Sequence, residues 1–391
     1  MQAIKWILLL VMVCASHTSM AQAYSQKDEV DIKSYSLYEK GAWKELLQYG
    51  KVAVQGQDFV LLRLRMAYAA YMLGNFSEAI KQYDAVLQSD IENATAHYYI
   101  WICRKYLNQT ELAGAHIKYL SEEAKTEAKL KKVTLTKAGI ETSYKYTDTK
   151  LRGNSIYSRL DIGLGLGWNI NMLQSGGIYN QNISEIQFQA VKDSNNIVIN
   201  QKEYYNRTTI NVNSNWQLKL AYHYLQTPFN NYSYDNHVGL FGIKYSGYYF
   251  DLQADAIYSR LTDSTHQQYD VKLGMYPMGN LNFYSFTTGS LRTYNGNQFN
   301  IKQVIGFKIM KNTWGEVNGT FGKFRNLFEN DALYVYNAID INKIKVGGML
   351  YVTLSPHILA QAGYTFEQRE FYNKTTSFNQ HSITGGLSWK M

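Results

Sequence analysis

Residues 249–258 read "YFDLQADAIY". Taken alternately, Phe250, Leu252, Ala254, Ala256 and Tyr258 form one row, and Asp251, Gln253 and Asp255 form the other. A period of two belongs to a β-strand, whose successive side chains point to opposite faces. The pattern recurs in "SRLDIGLGLGW" (158–168), "NWQLKLAYHYL" (215–225), "KIKVGGMLYVTL" (343–354) and "HSITGGLSWKM" (381–391). One face of each is apolar. The other carries charge, small residues or amides.

A soluble sandwich would turn the apolar row toward a core. A membrane barrel turns it toward lipid and the polar row toward the lumen. Three features favour the barrel. The alternating segments run about 10 to 14 residues, against the usual five or six of globular sheets. Aromatic residues bracket them, as at a membrane interface. Short turns alternate with long loops: Ser246-Gly247, Lys311-Asn312 and Ser355-Pro356-His357 are short, whereas 325–342 and 371–378 are long. All three prolines fall at strand ends or connections, where no ladder hydrogen bond is lost.

Counting back from the last segment places strands near 134–147, 156–167, 171–181, 203–213, 215–226, 236–246, 248–261, 265–276, 280–291, 299–310, 313–324, 343–355, 357–370 and 380–390. The even count puts both ends of the barrel on one side, with about 14 strands and a range of 12 to 16. Residues 182–202 and 325–342 read as long outer loops, with room for small hairpins above the membrane. The final strand pairs with the first, because an open edge in lipid leaves backbone groups unpaired.

Upstream of residue 133 the period changes. Lys5, the apolar run Trp6–Val13 and Ala21-Gln22-Ala23 read as a signal peptide, residues 1–23, with cleavage near Ala21 or Ala23. The run is too short to span a bilayer. Cys14 offers a lipidation alternative, against which stands the bulky Val13. Only Cys103 remains afterward, and it reads as a buried small hydrophobe. No other segment approaches 18 continuous apolar residues. The formal net charge of +8 has no basic cluster of the recognition type, so nucleic acid is not an expected partner.

Residues 24–132 carry helical spacing and a repeat. Gly41-Ala42-Trp43, Gly74-Asn75-Phe76 and Asn108-Gln109-Thr110 open equivalent stretches 33 and then 34 residues apart. Leu46, Ala79 and Ala113 share one position, and Tyr83 and Ile117 share a later one. The best copy, 60–91, holds Ala67, Gly74, Phe76, Ala79 and Tyr83. A period near 34 with a glycine turn and a small residue five places on resembles the tetratricopeptide repeat. Ile91 stands where that repeat ordinarily ends in proline. An ordinary small helical domain is the alternative. "SEEAKTEAKLKK" (121–132) reads as a solvated helix or linker.

Catalytic constellations are absent from this reading, and no enzyme activity, cofactor or metal is expected. His381 and Ser382 are neighbours on a strand and face opposite ways. Asp251 and Asp255 share a face but lie about 13 Å apart by strand rise, too far to act as a carboxylate pair. The expected lumen row holds both signs of charge: Arg159, Asp161, Lys219, His223, Asp251, Asp255, Asp270, Lys272 and Glu316, with Glu141, Lys345 and Glu367 beside them. It reads either as a structural network that fills the barrel or as a polar path for a hydrophilic solute.

The order of signal peptide, helical repeats and barrel resembles the repeat-plus-barrel outer-membrane proteins, among them YaiO-type proteins and exopolysaccharide exporters. That resemblance implies residence in a Gram-negative outer membrane with the repeats in the periplasm. It implies contact with outer-membrane lipids, insertion by the barrel-assembly machinery, and a periplasmic or outer-membrane protein partner held by the repeats. It also implies a role in polymer export or envelope assembly. A non-conducting anchor or scaffold is the alternative.

Overall fold

A computed structural model describes residues 26–184, 196–229, 232–261, 264–293, 296–372 and 376–390. The expected signal peptide and Cys14 lie outside these residues. The chain divides into two compact units. The first comprises the helical residues up to Asn108 together with Tyr119–Ser121; the second comprises Gln109–Lys118 and everything from Glu122 onward. One short helix upstream of residue 132 clusters with the barrel, whose first strand begins at Val133.

In the first unit α1 (26–39), α2 (Trp43–Ala53), α3 (Val60–Met72), α4 (Phe76–Ser89) and α5 (Ala94–Tyr106) follow one another through short turns. The turn residues at the start of each repeat stretch are left-handed: φ is 65° at Gly41, 71° at Gly74 and 56° at Asn108. At Gly74 the Gly74 N–H donates to the Tyr71 carbonyl and the Asn75 N–H to the Ala70 carbonyl, both at 2.9 Å. This double bond closes α3 and needs a residue that tolerates positive φ. The Asn75 side chain then accepts from the Glu78 N–H at 3.0 Å and caps α4. Leu46, Ala67 and Ala79 are fully buried, and Tyr83 is stacked on Tyr99 with ring centroids 5.3 Å apart. Trp43 packs edge-on against Tyr38 and Tyr68. Ile91, in place of the closing proline, is exposed.

In the second unit α6 (Thr110–Ile117) and the wholly unburied α7 (Glu122–Glu127) precede the strands. Ala113 lies in α6 and is buried there. Fourteen antiparallel strands close into a barrel in the order β1-β16-β15-β14-β11-β10-β9-β8-β7-β6-β5-β4-β3-β2. They are β1 (Val133–Thr147), β2 (Arg152–Leu166), β3 (Ile170–Ser184), β4 (Asn196–Asn211), β5 (Trp216–Phe229), β6 (Tyr232–Ser246) and β7 (Phe250–Leu261). The rest are β8 (Ser264–Met275), β9 (Phe283–Thr293), β10 (Asn297–Met310), β11 (Thr313–Phe324), β14 (Ile341–Ser355), β15 (Ile358–Glu370) and β16 (Ser377–Lys390). The small pair β12 (Phe328–Glu329) and β13 (Tyr334–Val335) stands apart from the barrel sheet.

Closure is made by β1 against β16, from Lys137 opposite Lys390 to Thr147 opposite Gln380. Every expected strand is present. The expected outer loop 182–202 is shorter than the sequence suggested, because β3 continues to Ser184 and β4 begins at Asn196, paired in register. Exposure along β7 alternates at every residue, with Phe250, Leu252 and Tyr258 exposed and Asp251, Gln253 and Asp255 buried. Leu160, Leu220, Phe241, Val271 and Ile383 are likewise exposed on the outside. Trp216, Phe250, Phe283 and Trp389 are large exposed aromatics at the strand ends of one rim, the rim where β1 begins and β16 finishes. An apolar exterior with an aromatic rim around a closed sheet is the surface a bilayer solvates. The second unit is a transmembrane β-barrel. Its rim at the start of β1 is called proximal below, and the opposite rim distal.

Candidate functional site: a divided lumen

The expected lumen residues do point inward. Arg159, Asp161, Lys219, His223, Asp251, Asp255 and Asp270 are each less than a tenth exposed, and Lys272 and Glu316 are half-buried. What they meet was not foreseen. The connection between β11 and β14 leaves the distal rim and folds back inside the barrel. The expected hairpin above the membrane is thus an inward hairpin, formed by β12 and β13, with Phe328 opposite Val335 and Glu329 opposite Tyr334.

Its fit is apolar first. Phe328 and Ala332 are buried against Tyr205, Ala221, Leu225, Val238, Leu240, Ile257 and Leu261. These residues lie on the inward rows of β4 to β7, where a water-filled pore would carry polar side chains. Burying a side chain such as Phe328 contributes about 1.5–3 kcal/mol. That apolar cluster is the signal in the sequence that marks an occupied lumen.

The tip is then fixed by charge. Asn330, Asp331 and Ala332 are all left-handed, at φ 53°, 59° and 62°. This tight turn carries the Asp331 carboxylate into a ring of cations: Lys272 Nζ at 2.6 Å, Lys219 Nζ at 2.8 Å and Arg207 Nη1 at 3.1 Å. Gln253 donates to it as well, at 2.8 Å. Backbone groups of the tip are also held, since Tyr205 donates to the Asp331 carbonyl and His223 Nδ1 to the Ala332 carbonyl, both at 2.9 Å. Glu329 takes Lys302 at 2.9 Å and Lys345 at 3.0 Å. Tyr334 donates to Glu141 at 2.7 Å, while the Arg159 guanidinium lies over its ring at 4.8 Å. At the distal end Arg152 and Asp340 form a two-pronged pair at 2.6 and 2.8 Å.

From the proximal side α6 enters the same half of the barrel. The Glu111 carbonyl accepts from the Asn211 amide at 2.6 Å, and Gln109 donates to Asp251 at 3.2 Å. Gly114 sits so close to the turn between β2 and β3 that a Cβ there would meet the Trp168 carbonyl oxygen. The Glu111 carboxylate binds Arg207 Nη2 at 2.5 Å. Burial alone would raise the Glu111 carboxyl, but Arg207, Lys219 and the Thr209 hydroxyl outweigh it and hold the group below its ordinary range.

The wall from β11 through β16 to β1 meets the hairpin at Lys345 and Glu141 and is less closely covered between them. On β11, β14, β15, β16 and β1 the inward residues include Asn318, Gly347, Met349, Gly363, Thr365, Thr384, Gly386 and Gly139, all of which keep partial access to water. Glycines here make room for neighbours to lie flat on the wall. A Cβ at Gly306 would collide with the Tyr284 ring, and one at Gly363 with the end of Met349. Tyr284 thereby reaches across β10 and donates to Glu316 at 2.7 Å, and Tyr351 donates to the same carboxylate at 3.1 Å. Asp251 and Asp255 belong to separate hubs: Asp251 takes Lys244 and Tyr276, and Asp255 takes Lys272. Arg207, Glu111, Asp331, Glu329 and Tyr334 also occupy the lumen and were not singled out by sequence. Row parity marks Arg207 as inward, but nothing in the local pattern marks its partners.

No family model and no curated protein matches the chain. Among solved structures, it is similar to the outer membrane protein Omp33 of Acinetobacter baumannii, at 8% identity over 66% of this chain and 99% of that one, with a TM-score of 0.39. A bacterial polysaccharide outer membrane secretin is similar at 10% identity over 66% and 98%, with a TM-score of 0.40. The toluene transporter TodX of Pseudomonas putida is similar at 6% identity over 71% and 91%, with a TM-score of 0.42.

Proposed function

We propose that this chain is a restricted conduit of the Gram-negative outer membrane, passing a hydrophilic solute or polymer along one side of its lumen. The observation that carries the reading is the division of the interior. The inward hairpin and α6 pack the side formed by β4 to β8, and the hairpin reaches the opposite wall at Lys345 on β14 and Glu141 on β1. On β11, β14, β15, β16 and β1, glycine, threonine and asparagine residues keep partial access to water between the charged groups Glu316, Lys345, Glu367 and Glu141. Such a lining suits an uncharged, hydroxyl-rich solute better than an ion, because mixed and mutually paired charges give no sustained field of one sign.

In this reading the first unit is a short tetratricopeptide-like array in the periplasm, and it docks a partner in export or envelope assembly. Three left-handed helix turns at repeat spacing support that assignment. The chemistry assigned in this reading is passage and docking. The second reading is a sealed anchor, which the packing around Asp331 favours. Planar-bilayer recording of the full-length protein separates the two. Sustained open steps of small size support the conduit, and silence in the presence of correctly folded protein supports the anchor. Cross-linking in intact envelopes, followed by recovery of the full-length chain, tests the docking: capture of no periplasmic or outer-membrane protein contradicts it.

A further inference from the structure

One guanidinium is shared between the two elements that occupy the lumen. Arg207 gives Nη2 to Glu111 of α6 at 2.5 Å and Nη1 to Asp331 of the inward hairpin at 3.1 Å. The elements arrive from opposite rims, and the two carboxylates are far apart in sequence. Nε of Arg207 is buried without a hydrogen-bond partner, so these two contacts set the orientation of the group. The α6 backbone is seated by Asn171 and Asn211 on the Glu111 carbonyl, and Gly114 leaves no gap at the Trp168 carbonyl. Helix α6 is also continuous with α5 through Asn108 and Gln109.

We propose that Arg207 is a coupling residue through which seating of α6 holds the inward hairpin in the lumen, so that withdrawal of α6 toward the proximal side loosens the hairpin. The proposal rests on the conduit reading and supplies its control. Charged groups face the link from every side: Lys219 on β5, Lys272 on β8, Asp255 on β7 and Asp331 itself. Lys219 and Lys272 keep Asp331 paired when Arg207 lets go, so the hairpin is loosened and not expelled. When α6 leaves, water enters the proximal mouth and solvates a guanidinium that has lost its tighter contact. A load on the helical unit reaches the barrel along the chain itself, with no further partner required. The coupling is reciprocal, as any binding linkage is: a ligand that displaces the hairpin weakens the seat of α6 by the same factor.

The test reads hairpin release directly and does not depend on conduction. Ala332 is 2% exposed at the hairpin tip. In a Cys103→Ala background, Ala332→Cys is a reporter that a methanethiosulfonate reagent reaches only when the hairpin leaves its seat. The full-length protein in detergent micelles is labelled, and heat-dependent gel mobility confirms the fold of each variant. Glu111→Gln is expected to raise the labelling rate about tenfold, within the range of coupling measured for residues in one hydrogen-bonded network. Gly114→Val, which lifts α6 without touching a charge, is expected to raise it likewise. In an Arg207→Gln background Glu111→Gln is expected to add nothing. The proposal is overturned if Glu111→Gln and Gly114→Val leave labelling unchanged or slow it while Asp331→Asn accelerates it, since the hairpin is then held without α6. A silent bilayer with accelerated labelling would sink the conduit and leave the coupling standing.

Discussion

Asp331 meets three cations and an amide within 3.1 Å, although its side chain is only 9% exposed. Removing one partner from such a cluster leaves buried charge uncompensated and costs about 3–5 kcal/mol. Asp331→Ala is therefore expected to free the hairpin, and chymotrypsin is expected to cut after Phe328, which is 2% exposed in the intact protein. Resistance equal to that of the parent would contradict the role given to Asp331. Cys103 is the opposite kind of residue. It is fully buried among the helices, and that burial pushes its thiol up to about 12, more than the neighbouring Arg104 lowers it. At pH 8 only about one thiol in ten thousand is ionised, so Cys103 is expected to stay unmodified by thiol reagents until the helices unfold. Rapid labelling of the native chain would show an open core. At this scale the sequence shows which way a residue faces, because parity along a strand is local. It does not show what the residue meets. Arg207 and Asp331 are joined by the folding back of a loop, and no short-range pattern records that.

At the scale of elements, the inward hairpin is the part of the site least visible in advance. Loop length and turn residues announce a hairpin near 325–342 but not its side of the membrane. The clue lies elsewhere, in Leu225, Val238, Leu240, Ile257 and Leu261, apolar side chains on rows that otherwise carry charge. An apolar patch facing a lumen needs a covering surface, and Phe328 and Ala332 supply it. Helix turns were more legible, since the need for positive φ restricts residue choice. Gly74→Val places a β-branched residue at φ 71° and is expected to cost about 1–2 kcal/mol. It should lower the thermal midpoint of the helical circular-dichroism signal while leaving barrel mobility on gels unchanged. Gly306 has a different task, since its missing side chain is where the Tyr284 ring lies. For the proposed conduit, Gly306→Val is expected to push Tyr284 off Glu316 and reduce single-channel current; an unchanged current would argue against a passage beside Tyr284.

For the whole molecule, the strand count, their order and the closure of β1 on β16 were readable because a bilayer imposes one rule on every strand. Each must place apolar groups outside and pair every backbone group, so the pattern repeats with little exception. The division into units was less readable: helix α6 has the spacing of the helical repeats but clusters with the barrel. Its seat depends on the small residue Gly114 and on contacts from distant strands. The central claim is that the apolar rows of the fourteen strands face lipid around an interior the protein itself partly fills. Flotation of the purified full-length chain with reconstituted liposomes after alkaline carbonate extraction tests it most directly. The account predicts that the protein stays in the floating lipid fraction. Recovery as a dispersed monomer in the aqueous fraction would contradict it.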